Sequence, residues 1–581
     1  MFGPQLLHVD DPGGGRSGPV STIMRRRPAQ AQLPRIAADG RGRERRPQRN
    51  SRLEVVAASY GLFTKRALGA STKSGTHFGT STCASSSPLS FANAMWQDGW
   101  MAADSEHKSI STRALGIALS AAALVPHFTT PAFAHASERG YVMLLPTGYY
   151  VVGGAVAVAA SFLVLAVLPP RLLERISASR LPIGQFGDAA RIWISTLAFA
   201  VLAILVAAGI LGSRDPLSNP LPLTVWTLVW VGLTLLQGVF GNVWSWTNPW
   251  YGPWRIFSSV FPAFRDRTMP QGLAYWPALI LFASFAWFEL IYRAPEDPAR
   301  LAFALMAYWL STFVCMIIFG YEGWSRRGEF LSAFFRMVSR FAIVETTPDH
   351  PSRGRALSLC WPGAKLWSAQ ALPASGMLFL LLTLSSVSFD GLSKTFSWLG
   401  ANGVNPLEFP GRSALVGINS AGLVLMFIAL VAVFFAAVFV GERLAGSISF
   451  GKAVGLLVWS IVPIALAYHF SHYLTALLVN GQNALVAISD PFDRGWNLFG
   501  TAHMNVGAGV IMGSDAAWII WNFQAAAIIG GHILAVLVAH GLAFRLHPAR
   551  SRAALSQFPL TVFMVGYTVF GLWLLSTPTA V

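Results

Sequence analysis

Residues 455–480 read GLLVWSIVPIALAYHFSHYLTALLVN, twenty-six residues without a single Lys, Arg, Asp or Glu. Wound as a helix at 1.5 Å per residue they reach about 39 Å, more than the roughly 30 Å of hydrocarbon in a bilayer. A soluble domain seldom buries an apolar rod of that length, so the stretch predicts a helix that crosses a membrane. It also carries two imidazoles, His469 and His472, at a depth where lipid is the ordinary neighbour. Polar groups so placed point to function or to an interior partner.

Working outward, nine further runs of comparable character lie around 149–168, 191–212, 221–241, 273–293, 300–320, 372–389, 415–440, 516–541 and 559–576. The expected fold is therefore all-α, a polytopic transmembrane helical bundle of about ten spans. Composition agrees: 54% of the 581 residues are hydrophobic and 12% charged, and the mean hydropathy is +0.51, more apolar surface than a soluble core can hide. The 21 Trp and 40 Phe suit belts of rings at headgroup depth. Lipid is the partner this composition demands.

The net charge of +16 invites a nucleic-acid reading, but its distribution argues otherwise. Half of it lies in residues 1–100, which hold 14 Lys/Arg against 6 Asp/Glu and show neither helical nor strand periodicity. This reads as a disordered basic leader. It is either an arm for nucleic acid or anionic lipid, or an over-extended start, with translation beginning at Met95 or Met101. The second is favoured because residues 101–134 resemble a complete export signal. Lys108 and Arg113 supply the positive region, 114–125 the apolar core, and Ala132-Phe133-Ala134 a small-x-small cleavage site. The mature transmembrane domain would then run from His135 to residue 581, with its N-terminus outside.

The remaining charge follows topology. The odd-numbered loops carry nineteen Lys/Arg, among them Arg171, Arg175, Arg180, Arg255, Arg326, Arg327, Arg336, Arg443 and Arg545. The even-numbered loops carry six: Arg214, Arg293, Arg300, Lys394, Arg412 and Arg494. The positive-inside rule places the odd loops in the cytoplasm, in agreement with the signal segment. Nucleic-acid binding is excluded on this reading. The long cytoplasmic stretch 321–371 contains an amphipathic run over 328–343 that predicts an interfacial helix. Outside, 390–414 and 481–515 are long enough to fold over the helix ends as a lid.

The polar groups inside the spans collect toward the outer side. His469 and His472 stand at i and i+3, a spacing from which two imidazoles can share a metal ion. Glu289 near the end of the fourth span and Asp390 at the end of the sixth lie at a similar level, with Asp490, Asp493 and His503 in the loop beyond. These predict a site of His469, His472, Asp390 and His503 around a divalent metal (Zn, Mn or Cu), with Asp390 or Glu289 as the catalytic carboxylate. The alternatives are local: Asp390 can cap a turn before Gly391, and Glu289 can pair with Arg293. In the ninth span, His540 is expected to reach the cytoplasmic interface, and His532 to bond Tyr567 or a backbone carbonyl. His135, once N-terminal, offers an amine and a ring nitrogen for chelation. The three cysteines, Cys83, Cys315 and Cys360, form neither a disulfide framework nor a CxxC knuckle.

Several segments in order, HASERG, GNVWSWTNPW, WPALILFASFAWFEL, SVSFDGLSKTFSWLG with NPLEFPGRS, PIALAYHFSHYLTALLVNGQ and MVGYTVFGLWLL, resemble the bacterial membrane proteins known as fenitrothion hydrolases, over about residues 135–576. The resemblance implies a multi-pass protein of the bacterial inner membrane that hydrolyses organophosphorus esters at a periplasm-facing site. That chemistry would call on a Lewis acid and a carboxylate that orients water. Two other readings remain open. One is a transporter or channel whose buried His and carboxylates move protons or metal ions. The other is a haem- or quinone-linked protein, which needs His469 or His472 level with His532, and the depths disfavour that.

Overall fold

The computed structural model describes residues 147–581, apart from 169, 187–189, 351–353, 409–410, 448, 508–512 and 580–581. The basic leader, the signal segment and His135 lie outside the described residues. Ten helices are long and apolar enough to cross a membrane: α1 Thr147–Val167, α2 Ala190–Leu211, α3 Pro220–Phe240, α4 Gln271–Leu290, α5 Pro298–Phe319, α6 Ala374–Ser393, α7 Arg412–Leu444, α8 Phe450–Ser489, α9 Ser514–Leu546 and α10 Arg550–Ser576. Each coincides with a span expected from hydropathy. The protein is an all-α polytopic bundle, and its two ends are distinguished below as arginine-rich and arginine-poor after the loops they carry.

Burial sorts the helices. In α6, 78% of the apolar window is buried, against 22% in α1, α2, α4, α5 and α7. The sequence of α6 explains its place. It carries Thr383, Ser385, Ser386, Ser388 and Asp390, all buried, and polar groups avoid lipid only in the middle of a bundle. Helices α4, α7, α8 and α10 pack around it, α1 lies against α9 and α10, and α2 lies against α5. The peripheral helices turn large apolar side chains outward, as Trp193, Leu197 and Ile204 do on α2 and Leu163 and Val164 on α1. Such surface suits lipid and would aggregate in water.

Two short elements lie at the arginine-rich end, a helix that the sequence reading places elsewhere and a sheet that it does not predict. The amphipathic run over 328–343 is covered by protein. Its helix, Phe330–Val338, is buried along most of its length. Phe330 packs against Phe282, Phe285 and Tyr308, and Phe334 against Trp230 and Phe282. The apolar stripe read as a lipid anchor is a packing face for α3 and α4. Glu329 caps this helix, accepting from the backbone N–H groups of Leu331 and Ser332 at 2.7 Å, and from the Tyr308 hydroxyl. Beyond it, a small antiparallel sheet joins β1 Leu181–Phe186, β2 Val344–His350 and β3 Gly354–Leu359 in the order β1-β3-β2. The α1–α2 loop and the α5–α6 loop therefore sit at one end of the bundle, as a chain that alternates direction requires.

Candidate functional site

At the arginine-poor end, three helices bring together four of the costly polar side chains. Asp390 lies one turn inside the C-terminus of α6, not at its cap, and is 4% exposed. Both its oxygens are engaged. Oδ1 accepts from Lys394 Nζ at 2.7 Å, an i,i+4 partner made possible because α6 continues to Ser393. Oδ2 meets His472 Nε2 at 2.7 Å and accepts from the Tyr473 hydroxyl at 3.0 Å. The same hydroxyl reaches Glu289 Oε1 of α4 at 3.2 Å. Arg412, at the start of α7, donates to the backbone carbonyl of Glu289 at 2.9 Å and adds a second cation at the rim. Lys394 is about half exposed and Glu289 is partly so, which opens the cluster toward the arginine-poor face.

One feature of this arrangement constrains its protons. The Tyr473 hydroxyl has one hydrogen and faces two carboxyl groups. It donates to one of them at a time; the other contact is a hydrogen bond only when that carboxyl brings a hydrogen of its own. Asp390, already held by Lys394 and His472, is the natural acceptor. Glu289 is then satisfied when protonated, donating to the phenol oxygen. Glu289, Tyr473 and Asp390 thus form a bridge that can hold or release a proton.

His469 takes no part in the bridge. Its ring turns to α3, where Nε2 stands 2.9 Å from the carbonyl of Trp230 and the two rings meet edge-on. Trp230 belongs to residues Leu223–Leu233, which are wound as a π-helix rather than an α-helix. Thr234 donates to the same oxygen at 2.5 Å. A carbonyl only accepts, so Nε2 of His469 carries a hydrogen and is unfit to bind a cation there. His503 is exposed in the loop after α8. Among the described residues no group of three or more His, Cys, Asp and Glu is placed to hold a metal ion. Of the expected set, His472 and Asp390 come together, whereas His469 turns to the Trp230 carbonyl and His503 lies in the loop. Lys394 already occupies the free oxygen of the remaining Asp390–His472 pair.

The local alternatives are also resolved. Glu289 reaches Tyr473, and Asp390 pairs forward with Lys394 and across with His472. Asp490 closes a turn, accepting from the N–H groups of Arg494 and Gly495. His532 bonds a backbone carbonyl, that of Ile528, at 2.8 Å. His540 does not snorkel; it is fully buried, with Nδ1 2.7 Å from Gln557 Oε1. Tyr473 and Lys394 were not singled out from sequence. The available signal was their spacing, Tyr473 beside His472 and Lys394 four residues after Asp390.

The chain matches no family model, no curated protein and no solved structure.

Proposed function

We propose that this integral membrane protein is a proton-translocating carrier or channel, with Glu289, Tyr473 and Asp390 as its proton-loading site and the arginine-poor end facing out of the cell. The observation that carries the reading is the single Tyr473 hydroxyl at 3.2 Å and 3.0 Å from carboxylates on two different helices. Carboxylates inside a bundle are costly, and sharing a proton offsets that cost while leaving a group that can exchange it. Loading puts a proton on Glu289, which then donates to Tyr473. Release leaves Glu289 charged, facing Arg412 and the outer solution. His472, braced by Asp390, is the next acceptor inward. Support for the outward orientation comes from the Arg distribution and the positive-inside rule.

The test is proton flux in proteoliposomes, read by a trapped pH-sensitive dye under an imposed potential. Flux above that of empty vesicles is expected from the unmodified protein, with at least about a tenfold loss in Glu289→Gln and Asp390→Asn, since one positioned proton-transfer group contributes roughly 10²–10⁴-fold in rate. Equal flux with and without protein would overturn the reading.

A second reading is favoured by the 2.7 Å contact of His472 with Asp390. A carboxylate that orients an imidazole is the arrangement of a general base. Such a pair can take a proton from water attacking the phosphorus of an organophosphorus ester, the activity implied by the resemblance to fenitrothion hydrolases. Release of the phenol from such an ester by purified protein, lost in His472→Gln, would support this reading. Absence of hydrolysis in the unmodified protein would remove it.

A further inference from the structure

Toward the arginine-rich end, α9 carries two more imidazoles that the proton-loading site leaves unused, His532 and His540, and a third, His547, caps its C-terminus. His532, His540 and His547 are 1%, 0% and 7% exposed. The eight-residue spacing of His532 and His540 keeps them on one broad face of the helix with a rise of about 12 Å between them, and His547 follows seven residues later, just past the helix end. Each ring has one nitrogen engaged: His532 Nδ1 with the Ile528 carbonyl at 2.8 Å, His540 Nδ1 with Gln557 Oε1 at 2.7 Å, and His547 Nε2 with Glu442 Oε1 at 2.9 Å. Since the Ile528 carbonyl only accepts, Nδ1 of His532 carries the hydrogen and Nε2 is a bare acceptor.

Among the described residues, four polar atoms along this stripe are buried without a hydrogen-bond partner: His532 Nε2, His540 Nε2, the Tyr468 hydroxyl and Glu442 Oε2. Their needs are complementary. Tyr468 can donate, whereas His532 Nε2 and Glu442 Oε2 accept. Tyr468 and His532 both lie beside Tyr567, with ring centroids 6.4 Å and 6.3 Å from its own. The Tyr567 hydroxyl bonds Ser388 Oγ at 2.5 Å, two residues before Asp390 on α6. Tyr468 precedes His472 by one turn of α8. The unpartnered atoms thus begin beneath the loading site and continue to the opposite end.

We propose that these atoms line an internal file of water that runs from the Glu289–Asp390 cluster past Tyr468, Tyr567 and His532 to a second proton-binding pair, Glu442–His547, at the arginine-rich end. The inference rests on the proton-translocating reading of the cluster. Water is the ligand that fits, because one molecule both donates and accepts and satisfies several buried groups at once. The intervals between imidazoles are a few water diameters long. His540, fixed by Gln557, stands midway between His532 and His547. No covalent step is involved: a proton passes from one oxygen or nitrogen lone pair to the next, and each site is restored when the following proton arrives.

Tyr468→Phe, His532→Phe and Glu442→Gln, each in the full chain and reconstituted in liposomes, test the file. Proton flux is measured with a trapped dye, and the Glu289 carboxyl is titrated in the same samples by pH-difference infrared spectroscopy. Flux is expected to fall by at least about tenfold in each variant, with the Glu289 titration unchanged. Flux equal to that of the unmodified protein, beside an intact Glu289 titration, overturns the file and leaves the loading site standing. An unmodified protein without flux overturns both. Tyr468→Phe deletes one unpartnered oxygen and leaves the ring in place, so it decides the matter should either of the other variants fail to fold.

Discussion

Tyr473 is the residue on which the site's chemistry depends, and its removal should separate binding from packing. In Tyr473→Phe the ring remains and the shared hydroxyl goes, leaving Glu289 without its partner on α8. A loss of about 0.5–1.5 kcal/mol in stability is expected, the size of one hydrogen bond, with a much larger proportional loss of proton flux. Equal losses in both would mean that the hydroxyl serves the fold alone. Glu289→Gln is the complementary probe, because its amide can donate to Tyr473 as a protonated carboxyl does. Its thermal stability should match that of the unmodified protein while Glu289→Ala unfolds at lower temperature. At this scale the sequence was partly legible. The expense of Asp390, Glu289, His469 and His472 inside apolar helices was visible at once. Which way each ring turns was not, since i,i+3 spacing places both imidazoles on one face without revealing that α3 offers a carbonyl to one of them. Lys394 was counted among loop charges, and only the extra turn of α6 brings it onto Asp390.

Among the helices, close approach is governed by glycine. A Cβ on Gly441 of α7 would stand 2.0 Å from the backbone carbonyl oxygen of Ser556 on α10, whereas one on Gly566 meets nothing within 4 Å. Gly441→Ala should therefore destabilise by about 1–3 kcal/mol, the range for overpacking, and Gly566→Ala should not destabilise; thermal unfolding in detergent compares them. Glu329 gives a second prediction for an element. Burial raises its carboxyl above the ordinary value of 4.5, and the hydrogen bonds from Ser332, Tyr308 and Leu331 oppose that rise only in part. The folded chain therefore holds this proton at a pH where the unfolded chain has lost it. Its contribution to stability is full below the unfolded value and declines as pH rises through the folded one. Glu329→Gln should flatten that decline in unfolding temperature above pH 4.5; an unchanged slope would show that Glu329 is not its source. The cap itself was hidden in sequence. The run 328–343 has the periodicity of an amphipathic helix, but periodicity does not say whether lipid or α3 and α4 cover the apolar side. The three-stranded sheet was hidden for a related reason, because β1 pairs with a strand far along the chain, Leu181 opposite Leu359 and Phe186 opposite Arg355.

For the whole molecule, the ten spans were legible because membrane insertion is read from a one-dimensional quantity, the length of an apolar run, and each helix needs no distant partner to satisfy its backbone. Their arrangement was less so, although the serines and threonine of α6 mark it as the central helix. Orientation follows from charge and can be checked separately. Leu407 is 82% exposed in the α6–α7 loop; Leu407→Cys should react with an impermeant thiol reagent added to intact cells, and reaction only after lysis would invert the topology. Under the proposed orientation the loading site faces outward, and the histidines on and just past α9 lead inward from it. Exchange of a proton at Glu289 is the property on which the proposed function rests. Its most direct measurement is pH-difference infrared spectroscopy of the protein in lipid. A carboxyl carbonyl band that appears on acidification, is reversible, and is absent from Glu289→Gln is predicted. The same spectrum in both proteins would contradict it.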